Sequence, residues 1–286
     1  MPILDAPFTK RSKDSLKRQQ NNPAFTRRIL ELLTPDIAEW KDDFLSGALL
    51  SGYQTAQGAG ASALAISTPT TEVRHGRATL VTGGTDNRSS QFSLGLHWRP
   101  DNYVVMIAGV ALSNIADVKI EVGFSDITAT TDSADANSGA VVADLGAATA
   151  TRTDGATWVY DTDDSGNAAF QGFGVANGTV ATKYEPTGEF GNVDGDAVPN
   201  QDEFDYLGVA LANGSARFFR GDFVDQDGND NAKQFTITET SDWQPSFITA
   251  TAPVTPYVFV QNRTNSTRTL TIDYFAVWGY RYNSDF

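Results

Sequence analysis

Pro256-Tyr257-Val258-Phe259-Val260-Gln261-Asn262-Arg263, a polar Thr/Asn/Ser turn, and then Leu270, Ile272, Tyr274, Ala276 and Trp278 at every second position bring the chain to its end. A period of two over that length is the signature of a β-strand with one buried face. Its expected partner is the apolar strand just before it. A chain that ends inside a sheet has its C-terminus tied down, which suits a rigid platform better than a mobile machine.

Working back from this end, strand signals recur at short intervals. They are Arg77 to Val81; Phe92, Leu94, Leu96 and Trp98 on one face; the continuous apolar run Tyr103 to Leu112; and Val118, Ile120, Val122 and Phe124 in alternation. Thr157 to Tyr160, Phe170 to Val175, Val180 to Tyr184, Phe204 to Leu211 and Ser215 to Val224 follow. Gly-Gly, Asp-Gly, Asn-Gly and Pro breaks separate them. The clearest hairpin runs from Leu207 to Phe219 about Asn213-Gly214, a dipeptide suited to the type I′ turn because both central residues need positive φ. Roughly a dozen strands without an internal repeat predict an all-β, two-sheet antiparallel jelly-roll sandwich over 75–286.

Ahead of the sandwich the pattern changes. Residues 46–74 are rich in small residues and read as a linker or a loose first strand. Residues 1–45 read as an extended N-terminal arm with one or two short helices. Asn22 is a plausible cap with Pro23 at the first helical position, and Phe25, Ile29, Leu32 and Leu33 share one face. Thr34-Pro35-Asp36 repeats the cap logic and predicts a second short helix through Ile37 and Trp40.

Charge divides the chain in the same place. Lys10, Arg11, Lys13, Lys17, Arg18, Arg27 and Arg28 against Asp5 and Asp14 give residues 1–30 a net charge of +5, so the rest carries −19 of the total −14. Such an acidic body repels phosphate, and nucleic acid is not expected as its partner. Only the basic arm could contact nucleic acid; the favoured expectation is that it lies in an acidic groove of a neighbouring protein, ordering only on assembly. The chain has no cysteine, which excludes disulfides, thiol catalysis and Cys-ligated zinc. No apolar stretch nears the roughly 18 residues of a membrane span, and residues 1–22 lack the apolar core of a signal peptide. A protein made in a cytoplasm, with no membrane partner, is the expectation.

Phe204 to Val224 with its phrase Asn213-Gly214-Ser215-Ala216-Arg217-Phe218-Phe219, then Val254 to Arg263, and the closing Thr271 to Trp278 together resemble the concanavalin A-like jelly-roll domains of tailed-phage structural proteins. Phe92 to Trp98 and Val122-Gly123-Phe124-Ser125-Asp126 are similar to the same group. The resemblance implies a virion surface module assembled in the host cytoplasm. Its expected role is a capsid decoration or cement protein, docking on the major capsid protein or another virion protein through Lys10, Arg11, Lys13, Lys17, Arg18, Phe25, Arg27, Arg28, Ile29, Leu32 and Leu33. Self-association as a trimer follows from the resemblance and from capsid symmetry. The alternative it leaves open is a tail or head-fibre module that binds host glycans through the sandwich loops.

Several residue patterns bear on chemistry. Asn192, Asp194, Asp196, Asn200 and Glu203 fall at positions 1, 3, 5, 9 and 12 of an EF-hand-type loop, a candidate calcium site, although Ala197 stands where the turn wants Gly. Asp161, Asp163, Asp164 and Asn167, and Asp225, Asp227, Asn229 and Asp230, are lesser acidic loops. Glu203-x-Asp205 begins the paired-carboxylate pattern of sugar-cleaving jelly rolls, but Gly208 occupies the place of the second Glu, so no enzyme is expected. With only His75 and His97, a zinc site or a Ser-His-Asp triad lacks its parts. Arg220-Gly221-Asp222 reads as turn chemistry. Trp158 and Trp243, with Tyr160 and Tyr184, lie near loop segments and are candidates for stacking on sugar rings.

Overall fold

The computed structural model describes residues 37–44, 53–57, 62–67, 76–96, 98–127, 140–145, 147–164, 169–186, 198–225 and 233–280. The basic arm, the predicted helix over Asn22–Leu33, both histidines and the tips of two acidic loops lie outside this set. Every regular element among the described residues is a strand, and two antiparallel sheets face each other. The all-β jelly-roll sandwich expected from the sequence is what the chain forms.

The first sheet runs β15 (Lys233–Thr240), β14 (Ser215–Asp225), β13 (Asp205–Ala212), β6 (Val104–Leu112), β17 (Thr269–Tyr280), β4 (Arg77–Val81) and β3 (Ser62–Ser67), with β1 (Ile37–Asp42) also paired to β17. The second runs β12 (Thr179–Val180), β11 (Gln171–Ala176), β10 (Gly155–Asp161), β7 (Val118–Ser125), β16 (Thr255–Asn262), β5 (Ser89–Ser93) and β2 (Gln54–Gln57). A two-stranded ribbon of β8 (Val142–Asp144) and β9 (Thr149–Ala150) stands apart from both.

The core lies between the sheets and is largely aromatic. Phe92 of the second sheet meets Phe275 of the first with ring centroids 4.9 Å apart, and Trp158 meets Phe218 at 5.4 Å. The Trp158 indole N–H reaches across the sandwich to the Gly208 carbonyl at 3.0 Å. Rings of this size in edge-to-face contact supply both area and orientation, so they fix how the sheets stack.

The predicted Asn213-Gly214 hairpin is present. Both residues have positive φ, 49° and 76°, and β13 pairs with β14 from Tyr206↔Gly221 to Ala212↔Ser215. Of the run Tyr103 to Leu112, Val104–Leu112 becomes β6, a central strand with all nine residues buried. A strand covered on both faces has no reason to alternate, which is why it reads as a continuous apolar run.

The closing strands differ from expectation in two ways. β16 and β17 do not pair with each other: they belong to opposite sheets, and the turn between them is a crossover. Each finds its partners far away in sequence, β16 with β7 and β5, β17 with β6 and β4. The period of two also breaks, because β17 carries a bulge between Ile272 and Tyr274. One extra residue on one strand flips every later side chain to the opposite face. Leu270, Ile272, Phe275 and Val277 are fully buried, while Tyr274 and Trp278 pack on the outer side of the sheet with Val105, Ile107, Ala210 and Phe219.

The predicted second helix is a strand. Ile37–Asp42 pairs with β17, and its alternate residues turn inward: Trp40 sits edge-on to Tyr53 at 5.5 Å, and the Asp42 carboxylate accepts from the Phe44 N–H at 2.7 Å and the Tyr53 hydroxyl at 3.0 Å. Pairing with a long strand outweighs a local cap signal when only six residues are at stake. The stretch read as a linker or first strand contributes β2 and β3 to the two sheet edges. β5 ends at Ser93, short of the predicted Phe92 to Trp98, because Gly95 takes φ 85° and Trp98 makes only an isolated bridge to Val254. Val180 to Tyr184 shortens likewise to the two residues of β12 and a bridge from Tyr184 to Gly172.

Candidate functional site

The outer face of the second sheet is where the sequence is most misleading. In β7 the core-facing residues are Val118, Ile120, Val122 and Phe124, so Lys119 and Glu121 point away from the core, as alternation predicts for solvent-facing charges. Both are nevertheless 0% exposed. The segment leading into β8 lies over them. The Glu121 carboxylate accepts the backbone N–H groups of Val141 at 2.7 Å and Val142 at 3.1 Å, and also the Tyr257 hydroxyl. Lys119 pairs with Glu121 at 2.9 Å and donates to the Val142 carbonyl.

Around this polar centre Ala140, Val141, Val142 and Leu145 close onto Val159, Phe173, Val175, Tyr257 and Phe259. The chain thus covers its own sheet with an extended segment gripped through its main chain. Burial pushes the Tyr257 phenol well above its ordinary range, and the neighbouring Glu121 charge reinforces this. Burial drives the Lys119 ammonium below its ordinary value, against the pull of Glu121. A fully satisfied pair of this kind fixes one arrangement of the covering segment.

The acidic loop at Asp161 is neutralised from within. Arg263, on the crossover between the sheets, is bidentate to Asp161, lies 3.5 Å from Asp163 and reaches the Ala143 carbonyl at 3.4 Å. Lys183 stands 3.7 Å from Asp164. Asp161, Asp163 and Asp164 thus face cations supplied by the chain, and Asn167 lies outside the described residues. In the candidate calcium loop Asn192, Asp194 and Asp196 lie outside the described residues. Asn200 and Glu203 are exposed and bond each other at 2.8 Å. Among the described residues no three or more His, Asp or Glu side chains converge as metal ligands.

The interrupted Glu203-x-Asp205 pattern has a steric explanation. Asp205 is ion-paired with Arg220, and a Cβ on Gly208 would lie 2.2 Å from the Phe219 ring. Position 208 is a floor for that ring and has no room for a carboxylate. Arg220-Gly221-Asp222 lies inside β14 at a bulge, not in a turn.

The two tryptophans proposed for sugar stacking part company. Trp158 is 1% exposed, walled by Phe170, Tyr184 and Phe218, and has no face to offer a ligand. Tyr160 is also buried and bonds the Ile115 carbonyl. Trp243 is 38% exposed and stands edge-to-face with Tyr103, itself 48% exposed, at a centroid distance of 6.3 Å. Sequence reasoning missed Tyr103 because it heads an apolar run that is otherwise core. The seven basic residues of the arm, with Phe25, Ile29, Leu32 and Leu33, lie outside the described residues.

No protein-family model matches this chain, and a search of curated proteins finds no match. Among solved structures the chain is similar to a protein of unknown function from Shewanella oneidensis MR-1, with 10% identity, 91% of this chain and 94% of that one covered, and a TM-score of 0.51. It is also similar to the seed lectin of Lotus tetragonolobus, with 7% identity, coverages of 85% and 99%, and a TM-score of 0.50. The fold is therefore that of the concanavalin A-like, legume-lectin-type sandwiches.

Proposed function

We propose that this chain is a non-catalytic structural protein of a virion surface, a decoration or cement protein that docks on the major capsid protein through its basic N-terminal segment and presents the sandwich outward as a self-associated trimer. The division of charge carries the reading: +5 over residues 1–30 against −19 over the remainder. A short basic segment on an acidic body binds an acidic groove while the body is held off it, and a segment shared with a neighbour bridges adjacent subunits. The self-neutralised loop at Asp161 and the covered outer face of the second sheet support a body built for rigidity. The test is co-sedimentation of the full chain with empty shells. Charge reversal at Arg27 and Arg28 is expected to weaken binding at least tenfold and to steepen its loss with salt. Unchanged binding would refute the docking role.

A second reading, recognition of host glycans by loops of the sandwich, is favoured by one observation, the exposed ring of Trp243 beside Tyr103.

A further inference from the structure

We propose that Tyr103 and Trp243 form a preorganised stacking corner for a neutral glycan; this rests on the second reading above and gives it a site and a ligand class. The three large apolar side chains most exposed among the described residues are Tyr103, Trp243 and Ile237, and two of the three are in ring contact. Their planes stand at 68°, edge to face, so the pair forms an angled corner, not a flat slab. Exposed aromatic faces are costly to leave in water and match the C–H faces of sugar rings.

Both rings sit on fixed backbone. Tyr103 immediately precedes β6, where β17 runs so close that a Cβ on Gly279 would meet the Tyr103 carbonyl oxygen at 2.6 Å. Trp243 is flanked by Gln244, which exchanges backbone hydrogen bonds of 2.7 and 3.0 Å with Ala216. The tip of the β13–β14 hairpin is tied to the loop before Tyr103 by the Gly214 N–H to Pro100 carbonyl bond of 3.2 Å. Little ordering is left to be done on binding.

The charge of the surroundings selects the ligand. Asp242, next to Trp243, is exposed, and Arg99 and Asp101, just before Tyr103, pair with each other at 2.5 Å. With −19 on the chain beyond residue 30, an anionic polysaccharide is repelled and a neutral one is not.

The experiment is affinity electrophoresis of the full chain through hydroxyethylcellulose, glycogen, galactomannan and xylan, with alginate and polygalacturonate as anionic counterparts. Saturable retardation by at least one neutral polymer is expected. It should fall at least tenfold in W243A and several-fold in Y103A, be partly restored in W243F, and be absent with the anionic polymers. Thermal melts of both variants verify that they fold, and the retardation is compared at a temperature where each is folded. Retardation that persists in both variants would overturn this site while leaving glycan recognition standing. No retardation by any neutral polymer would overturn both. Retardation abolished by salt, or a change of oligomeric state in W243A in place of lost sugar binding, would equally overturn the proposal.

Discussion

The outer face of the second sheet and the Tyr103–Trp243 corner are opposites in chemistry and in fate. The sheet face carries Lys119, Glu121, Thr157, Asp161, Gln91 and Gln261, the polar residues expected to meet water or a ligand, yet all are buried. The corner carries two large apolar rings, which packing would be expected to hide, and both are exposed. Lys119 and Glu121 hold Val141 and Val142 over the sheet face, while two rings, Tyr103 and Trp243, stay outside a core that is otherwise rich in aromatics. The broad face of the second sheet around Lys119 and Glu121 is therefore covered by the chain itself.

The sharpest way to break this contrast is Glu121→Ala. It leaves Lys119 buried without its counter-charge and orphans the N–H groups of Val141 and Val142, at an expected cost of about 3–5 kcal/mol. Denaturant unfolding measures it, and a cost below 1 kcal/mol would mean that the covering segment is only loosely held.

Tyr257→Phe removes one hydrogen bond to the same carboxylate and should cost about 1.5–3 kcal/mol at neutral pH. This loss depends on pH in a definite direction. The folded phenol is held protonated well above its ordinary pKa, so above pH 10 the unfolded chain releases a proton that the folded chain keeps. The parent then loses stability by about 1.4 kcal/mol per pH unit from this group, and the variant does not. Parent and variant should converge as pH rises past 10; parallel curves would place Tyr257 in contact with water.

On the first sheet, Gly208→Ala pushes a methyl into the Phe219 ring and should cost about 1–3 kcal/mol. Adding Phe219→Leu should recover part of the loss, because the clash is with that one ring. The smallest effect is expected of Asn213→Ala, which holds a β-carbon residue at φ 49° in the hairpin turn and should cost about 1 kcal/mol. Thermal melts order the four, and an Asn213→Ala effect exceeding that of Glu121→Ala would invert the comparison.

These residues also show what was legible in the sequence. The Asn213-Gly214 hairpin could be read because a type I′ turn is local, and β6 because burial on both faces leaves an unbroken apolar run. The bulge in β17 could not, since Asp273 is displaced only by how β17 lies against β6. Ile37–Asp42 follows a helix-cap signal in the sequence, Thr34-Pro35-Asp36, and becomes a strand because β17 is there to pair with. Lys119 and Glu121 alternate as surface charges do, and nothing nearby announces that Ala140, Val141 and Val142 will cover them. Trp158 and Trp243 both look like stacking residues, and only the fold separates the inner one from the outer one. The basic segment, by contrast, is plain from composition alone.

Amide hydrogen exchange at Val141 and Val142 in the full chain tests most directly whether the sheet face is closed. If Glu121 holds these two N–H groups as described, they exchange only with global unfolding, as slowly as the amides of β7 and β16. Exchange at the rate of an exposed loop, with β7 and β16 still protected, would show the face open to solvent and return it to the list of binding surfaces.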